Sequence, residues 1–272
     1  MNPVLKYPGA KWRIADWIIQ RMPPHVGYVE PFFGSGAVFF NKPKSRIETI
    51  ADLDGSIVRF FKACREKPEE LAYAISMTPW SREEFLQSDF CDESVDDVEA
   101  ARQFAVRCWQ TFGAITHCKT GWRYTKGKTD NPGPDNPKIW RKLPEIIIQV
   151  ADRLLDAQIE NRPALDVIKN NNGTNILIYA DPPYLKKTRT LNGDQYRFEM
   201  DDKDHEAMLT ALRDHAGMVL LSGYDSEMYR DMLRGWRMET IKTTAERGVR
   251  RTECLWSNPA VMEKKPLLTE IP

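Results

Sequence analysis

The chain reads as an α/β protein, an open sheet with a ligand site beyond the carboxyl ends of its strands and a mostly helical insertion. Three features predict this. The apolar run Ile176-Leu177-Ile178-Tyr179-Ala180 stops at Asp181-Pro182-Pro183-Tyr184. A short strand at Tyr28–Glu30 enters a glycine turn, Gly34-Ser35-Gly36, and then an apolar run suited to a helix start. Asp52 closes the next strand about twenty positions on, where open α/β sheets hold ribose hydroxyls.

Bulky and β-branched side chains at 176–180, led in by Asn171, Asn172 and Gly173, form a short buried strand. Two prolines then fix φ and remove N–H donors, so neither ladder nor helix continues. A carboxylate (Asp181) and a ring (Tyr184) are thereby held on a rigid turn at the sheet edge where such folds bind ligands. A plain turn would leave both the acid and the ring without a purpose.

From the N-terminus, Leu5-Lys6-Tyr7-Pro8-Gly9-Ala10-Lys11 brings an aromatic, a Pro-Gly turn and a lysine. By themselves these are only a turn and a surface cation. Ile14, Trp17, Ile18 and Met22 recur at helical spacing, and Pro23-Pro24 end that helix. Gly34-x-Gly36-x-x-Phe39 lacks the third glycine of the dinucleotide fingerprint, and Ser35 is placed to cap a following helix. A plain tight turn explains the two glycines equally well. If a cofactor sits there, the missing glycine disfavours a pyrophosphate. A nucleoside with an amino-acid tail needs only close backbone and a helix N-terminus for its carboxylate. After strand Ile47–Ala51, Asp52 is the better ligand candidate and Asp54 the better cap for the helix near Ser56 carrying Ile57, Phe60, Phe61 and Cys64.

Residues 65–143 lose the strand–helix alternation and are taken as an inserted domain between 1–64 and 144–272. Within them Ala101, Phe104, Ala105, Cys108, Trp109 and Phe112 form the apolar face of a helix ended by Gly113. His117–Lys128 interleaves Trp122 and Tyr124 with Lys119, Arg123, Lys126 and Lys128, cations for phosphates and rings for bases. A solvated loop is the competing reading. Pro144 opens a helix with Ile147, Val150, Ala151, Leu154 and Leu155, and Gln158-Ile159-Glu160 leads toward the central strand. Beyond Tyr184, a basic stretch with Lys186, Lys187, Arg189, Tyr196 and Arg197 suits a substrate-covering loop. Asp201 or Asp202 caps a helix with Ala207, Met208, Ala211 and Leu212. Strands follow at Met218–Leu221, Arg237–Thr243 and Glu253–Trp256, with Arg247, Arg250 and Arg251 between the last two.

The 272 residues carry 39 Lys and Arg against 39 Asp and Glu, a formal net charge of zero. The average hides segregation. Ala100–Thr129 holds Arg102, Arg107, Lys119, Arg123, Lys126 and Lys128 with no acid, directly after a block containing Glu83, Glu84, Asp96, Asp97 and Glu99. One basic face can steer a polyanion although the whole is neutral. The five cysteines (Cys64, Cys91, Cys108, Cys118 and Cys254) form no C-x-x-C pair, and His117-Cys118 lacks ligand spacing, so neither a disulfide scaffold nor a metal site is expected. No apolar run reaches bilayer length, and Met1–Arg21 lacks the form of a secretory signal. A reducing, cytoplasmic setting is the simplest expectation.

Taken in order, Leu5–Lys11, Glu30-Pro31-Phe32-Phe33-Gly34-Ser35-Gly36 and Asp181–Tyr184 resemble the Dam-like (D12-class) DNA adenine-N6 methyltransferases, bacterial or phage-encoded. Phe198, Asp204-His205 and Leu209 resemble the family's pattern after its catalytic motif. The likeness brackets residues 5–62 and about 144–257. It implies a Rossmann-like S-adenosylmethionine-dependent methyltransferase sheet, with 65–143 as the target-recognition insert. Carried over by position, Tyr7, Lys11, Phe33, Gly34, Ser35, Gly36, Asp52 and Asp181 would hold S-adenosylmethionine. Asp181, Pro182, Pro183 and Tyr184 would act on an adenine flipped out of double-stranded DNA. Lys119, Arg123, Tyr124, Lys126, Lys128, Lys187 and Arg189 would meet the duplex. No metal and no obligate protein partner is implied. Tyr7 replaces the family's common tryptophan, and Pro163 stands where members often carry an acid, which leaves the adenine contact of the cofactor unassigned. RNA methylation by the same fold and a non-catalytic DNA-binding regulator are the alternatives. An acid before Pro-Pro-Tyr and a sizeable basic insert favour DNA, and three intact motifs argue against a regulator.

Overall fold

The computed structural model describes residues 1–88, 94–112, 121–124, 135–189, 194–244 and 250–264. The first part of the chain forms α1 (Ala15–Ile19), β1 (Gly27–Glu30), β2 (Ile47–Ala51) and α2 (Gly55–Glu66). Helices α3 (Pro68–Ser76), α4 (Arg82–Gln87), α5 (Asp97–Gln110), α6 (Asn136–Trp140) and α7 (Leu143–Leu154) follow. Then come β3 (Ala157–Glu160), α8 (Ala164–Asn170), β4 (Ile176–Ala180) and α9 (Asp202–Arg213). The chain continues with β5 (Met218–Gly223), α10 (Glu227–Met232), β6 (Arg237–Thr244), β7 (Arg250–Ser257) and α11 (Pro259–Lys264). Among the described residues no helix is long and apolar enough to cross a membrane.

The strands make one seven-stranded sheet in the order β3-β2-β1-β4-β5-β7-β6, an open Rossmann-like sheet. The first five strands in sequence are parallel, and β7 runs antiparallel to both β5 and β6. From β1 the chain builds outward through β2 and β3, then returns to place β4 on the other side of β1. The order therefore reverses between β1 and β4, and a crevice opens beyond their carboxyl ends, at Glu30 and Ala180.

Alternate strand residues enter two separate cores, as a pleat requires. Tyr28, Leu177, Tyr179, Leu220 and Leu255 pack with α2, α3, α5 and α7. Val29, Ile178, Ala180, Val219, Leu221, Cys254 and Trp256 pack with α8, α9 and α10. Helices α3 and α5 bury Leu71, Ile75, Phe104, Ala105 and Trp109 in the first of these cores, and Trp109 Nε1 donates to the Val4 carbonyl at 2.9 Å.

Several local expectations are corrected. Helix α5 ends at Gln110, because Thr111 leaves the helix to form an antiparallel bridge with Trp122, and Phe112 is exposed. Leu155 follows α7 and is exposed rather than core. The first helix is short, and turns rather than helix carry the chain to Met22. Two choices left open by the sequence are resolved. Asp54 caps α2 by accepting from Ser56 N at 3.0 Å. Asp201 caps α9 in a capping box with Asp204.

Candidate active site

The segment after β1 lines one wall of the crevice. Gly36 has φ 67°, and a Cβ there would lie 2.5 Å from both Phe33 and Phe40, so only glycine fits. Phe33 itself is 4% exposed, and its ring packs on Phe39, Phe40 and Phe61 at centroid distances of 4.8 to 5.8 Å. It serves as a core anchor for the turn. The helix expected after Gly36 does not form. Residues 37–42 make successive turns, with Phe40 N bonded to Gly36 O, because the phenylalanine cluster dictates the path of the chain. Ser35 caps no helix; its hydroxyl accepts from Trp12 Nε1 at 3.1 Å.

Asp52 stands at the end of β2 facing the turn. Its Oδ2 accepts from Gly34 N at 2.8 Å and its Oδ1 from Asp54 N at 2.9 Å. Burial pushes its carboxyl up to about 6, against the lowering effect of these two amides. Tyr7 lies across Gly34 and tilts against Tyr196 at 6.2 Å. The same cleft is lined by Leu53 and by Pro163, Ala164 and Leu165 at the start of α8. It thus offers an acid at a strand end, a bared backbone turn and an apolar strip, a donor set that fits a nucleoside with a charged tail.

Asp181 borders this cleft from the other side. Lys11 Nζ sits 2.9 Å from Asp181 Oδ1 and also donates to the Gly9 carbonyl at 2.7 Å. Burial raises the Asp181 carboxyl, and the Lys11 ammonium opposes the shift. Burial alone would lower Lys11, but the Asp181 and Glu253 carboxylates outweigh it and hold the ammonium well above its ordinary value. Asp181 Oδ1 is buried against this ammonium. Tyr184, 9% exposed, donates its hydroxyl to Glu253 Oε2 at 2.6 Å and meets Tyr224 edge-on at 4.6 Å. Pro183 lines the cleft beside Asp181; Pro182 and Tyr184 lie next to it without lining it.

After the tetrapeptide, the segment 194–200 lines the cleft with Tyr196, Phe198, Glu199 and Met200. Glu199 gathers it, accepting from Gln195 N, Tyr196 N and both Arg189 Nη atoms at 2.6 to 3.0 Å. Arg189 Nε also donates to the Tyr184 carbonyl at 2.6 Å. Its side chain is 5% exposed, so Arg189 braces the turn from behind and does not present charge to phosphates. This corrects its expected place at the duplex. Gly9, at φ 70°, lies directly against the Tyr196 hydroxyl, and Arg197 reaches Ser56 Oγ at 3.2 Å. Lys187 is exposed, with Asp202 3.5 Å away.

Of the basic loop, Lys119, Lys126 and Lys128 lie outside the described residues, as do His117, Cys118, Cys91 and Arg247. Tyr124 is half exposed, stacks on Trp122 at 5.8 Å and has Arg82 over its ring at 5.5 Å. Arg123 is half-buried, and its Nε donates to the Thr111 carbonyl at 3.0 Å. Two other cations of the basic stretch are spent internally. Arg102 bridges Glu84 and Glu99, and Arg107 lies buried over the Phe85 ring at 4.6 Å.

Sequence reasoning missed Glu30 and Glu253 as parts of the site, placed Tyr196 only in the covering loop, and named Pro163 without assigning a contact to it or to Ala164 and Leu165. Glu30 was visible as the acid ending β1. It is 3% exposed, its carboxyl is pushed up to about 8 by burial, and Tyr28 donates to it at 2.7 Å. Nothing in the sequence pairs Glu253 with Tyr184, since only the antiparallel register of β7 brings them together.

Comparison with known proteins agrees with this geometry. The model of the D12 class N6 adenine-specific DNA methyltransferases matches residues 7–247. A DNA adenine methylase of Vibrio cholerae serotype O1 is 24% identical over 252 residues, covering 88% of this chain and 87% of that protein. The DNA adenine methylase of Escherichia coli strain K12 is 24% identical over 254 residues, covering 88% and 86%. A DNA N-6-adenine-methyltransferase of Escherichia phage P1 is 23% identical over 255 residues, covering 88% of this chain and 32% of that longer protein. With its switch-point crevice, its Asp-Pro-Pro-Tyr turn and a family match spanning most of its length, the chain belongs to the D12 class of N6 adenine-specific DNA methyltransferases.

Proposed function

We propose that the protein transfers a methyl group from S-adenosylmethionine to N6 of an adenine flipped out of double-stranded DNA, at a defined sequence. The observation that carries this reading is the Asp181 carboxylate, held at the rim of the cleft with the Lys11 ammonium 2.9 Å from its Oδ1. The exocyclic amino group of adenine supplies two N–H donors. Accepting them at Asp181 and at the Pro182 carbonyl localises a lone pair that the purine ring otherwise delocalises.

S-adenosylmethionine supplies a methyl group activated by a sulfonium. Asp52 would accept its ribose hydroxyls, the Gly34–Gly36 turn and Tyr7 would face its backbone-like tail, and Pro163–Leu165 with Leu53 would cover its purine. Phe33 and Ser35 act behind the turn through Phe61 and Trp12. Asp181 and Pro182 orient the amino nitrogen for in-line attack, and their negative dipoles stabilise the positive charge that grows on it. Pro183 keeps the turn rigid. Tyr184 stacks on the extruded base, which must leave the duplex for its nitrogen to be reached. Lys11 opposes the burial that raises the Asp181 carboxyl.

Residues 65–143 are proposed as the target-recognition insert, anchored on the catalytic core by α3 and α5. Tyr124, Arg123 and Lys187 would approach the duplex with Lys119, Lys126 and Lys128. Changing these last three lysines to glutamine should weaken DNA binding and reduce the slope of log K against log salt by about 0.9 for each phosphate no longer neutralised. An unchanged slope in a fluorescence-anisotropy titration would remove that loop from the interface. The whole reading is tested by expression in a host without DNA methylation, followed by single-base mapping of N6-methyladenine. Methylation at one recurrent sequence is expected; unmodified DNA would sink it.

A further inference from the structure

Glu253 stands behind the catalytic turn in a position that no motif marks. Strand β7 runs antiparallel to β5 with Gly223 opposite Cys254, so Glu253 and Arg251 extend past the carboxyl end of β5, beside Tyr224. Residues 251 and 253 share a face of the strand. From that face Glu253 accepts the Tyr184 hydroxyl at 2.6 Å, and Arg251 Nη1 donates to the Tyr224 hydroxyl at 3.2 Å. Tyr224 in turn meets the Tyr184 ring edge-on, 4.6 Å between centroids and 71° between planes. Lys11 Nζ lies 4.8 Å from the Tyr184 centroid. A carboxylate 9% exposed beside an apolar sheet is costly to bury, and Tyr184 is the side-chain donor it receives.

We infer that Glu253 is a positioning residue for methyl transfer, fixing the plane of the Tyr184 ring from its hydroxyl end while Tyr224 fixes it from the side. This rests on the reading above, in which Tyr184 stacks on the flipped adenine. Hydrogen bonds to a carboxylate are short and about twice as strong as neutral ones, so the phenol is held at one point. With the ring edge clamped by Tyr224, neither tilt nor rotation is left free. The stacked base inherits that plane, and with it the direction of its amino nitrogen toward the methyl donor. Donation to a carboxylate also enriches the ring in electron density, which suits a face opposed to a base gaining positive charge.

The test is a double-mutant cycle read by single-turnover methyl transfer at saturating S-adenosylmethionine, on a duplex carrying the mapped target. Glu253→Ala is expected to slow the transfer step about tenfold or more, as misplacement of reacting groups does, with the KM for DNA and cofactor nearly unmoved. Glu253→Gln keeps an acceptor in place and should recover most of that loss. Glu253→Asp keeps the charge but withdraws the acceptor by about 1.5 Å, one C–C bond, and should resemble Glu253→Ala. In a Tyr184→Phe background, Glu253→Ala should cost nothing further. 2-Aminopurine at the target position should show a flipped but less quenched base in the slow variants. The inference is overturned if Glu253→Ala transfers at the parental rate, if the Glu253→Ala and Tyr184→Phe losses multiply, or if Glu253→Asp outperforms Glu253→Gln. A fully active Tyr184→Ala would instead sink the stacking reading itself.

Discussion

Replacing Asp181 by alanine should abolish methyl transfer while duplex binding largely survives. Asp181 is the acidic acceptor at the rim of the cleft, and its buried Oδ1 faces the Lys11 ammonium at 2.9 Å. A preorganised group aimed at developing charge contributes about 10²–10³ in rate, and in the proposed reaction it would also orient the nucleophile. A loss of about 10³ or more in a single-turnover tritium-transfer assay is therefore expected. The variant also leaves the Lys11 ammonium, 7% exposed, without its carboxylate. Asp181→Asn therefore serves as the control, since it keeps an acceptor of similar shape. If Asp181→Ala turned over within tenfold of the parent, the amino group would have to be activated elsewhere.

The second large effect is expected at Asp52, in cofactor binding. Each charge-assisted hydrogen bond to this carboxylate is worth about 1.5–3 kcal/mol, and about 1.4 kcal/mol is tenfold in affinity. Asp52→Ala would lose the proposed bonds to the ligand and would also free Gly34 N, which donates to Asp52 Oδ2 at 2.8 Å. Calorimetry should show S-adenosylmethionine binding weakened about a hundredfold or more. The pH dependence has a distinctive sign. The carboxyl is pushed up to about 6 by burial, so acidification through that value removes the charge and weakens cofactor binding. The contribution of this group to stability runs the other way. Because its folded value is raised above the unfolded one near 3.9, that contribution is fully present below about pH 3.9 and is lost as pH rises through about 6. Between pH 7 and pH 5, cofactor affinity should fall while the Asp52 part of stability increases. Asp52→Asn should flatten both trends; cofactor affinity unchanged across this interval would remove Asp52 from the binding site.

Much of the fold was legible because the relevant signals are local. The strand at 176–180 and its termination depend only on the residues themselves, and β4 occupies that range. The helical spacing at 144–154 became α7. The run after Gly36 misled because Phe39 and Phe40, which suit a helix, are drawn into a cluster with Phe33 and, through Phe40, with Phe61 on α2. Arg189 misled for a similar reason. A cation in a basic stretch looks available to phosphates until its partner, Glu199, is found ten residues away and folded back on it.

The sequence by itself determined the class of the protein, the sheet edge used and the residues of the Asp-Pro-Pro-Tyr turn. Proline geometry, alternation and glycine placement are properties of neighbours along the chain. Only the tertiary structure decided that Lys11 pairs with Asp181, that Glu253 holds Tyr184 and that Pro163–Leu165 faces Asp52 across one cleft. Those contacts join residues 170, 69 and more than 100 positions apart. They depend on strand order and on the antiparallel register of β7, which are settled by burying both faces of the sheet at once.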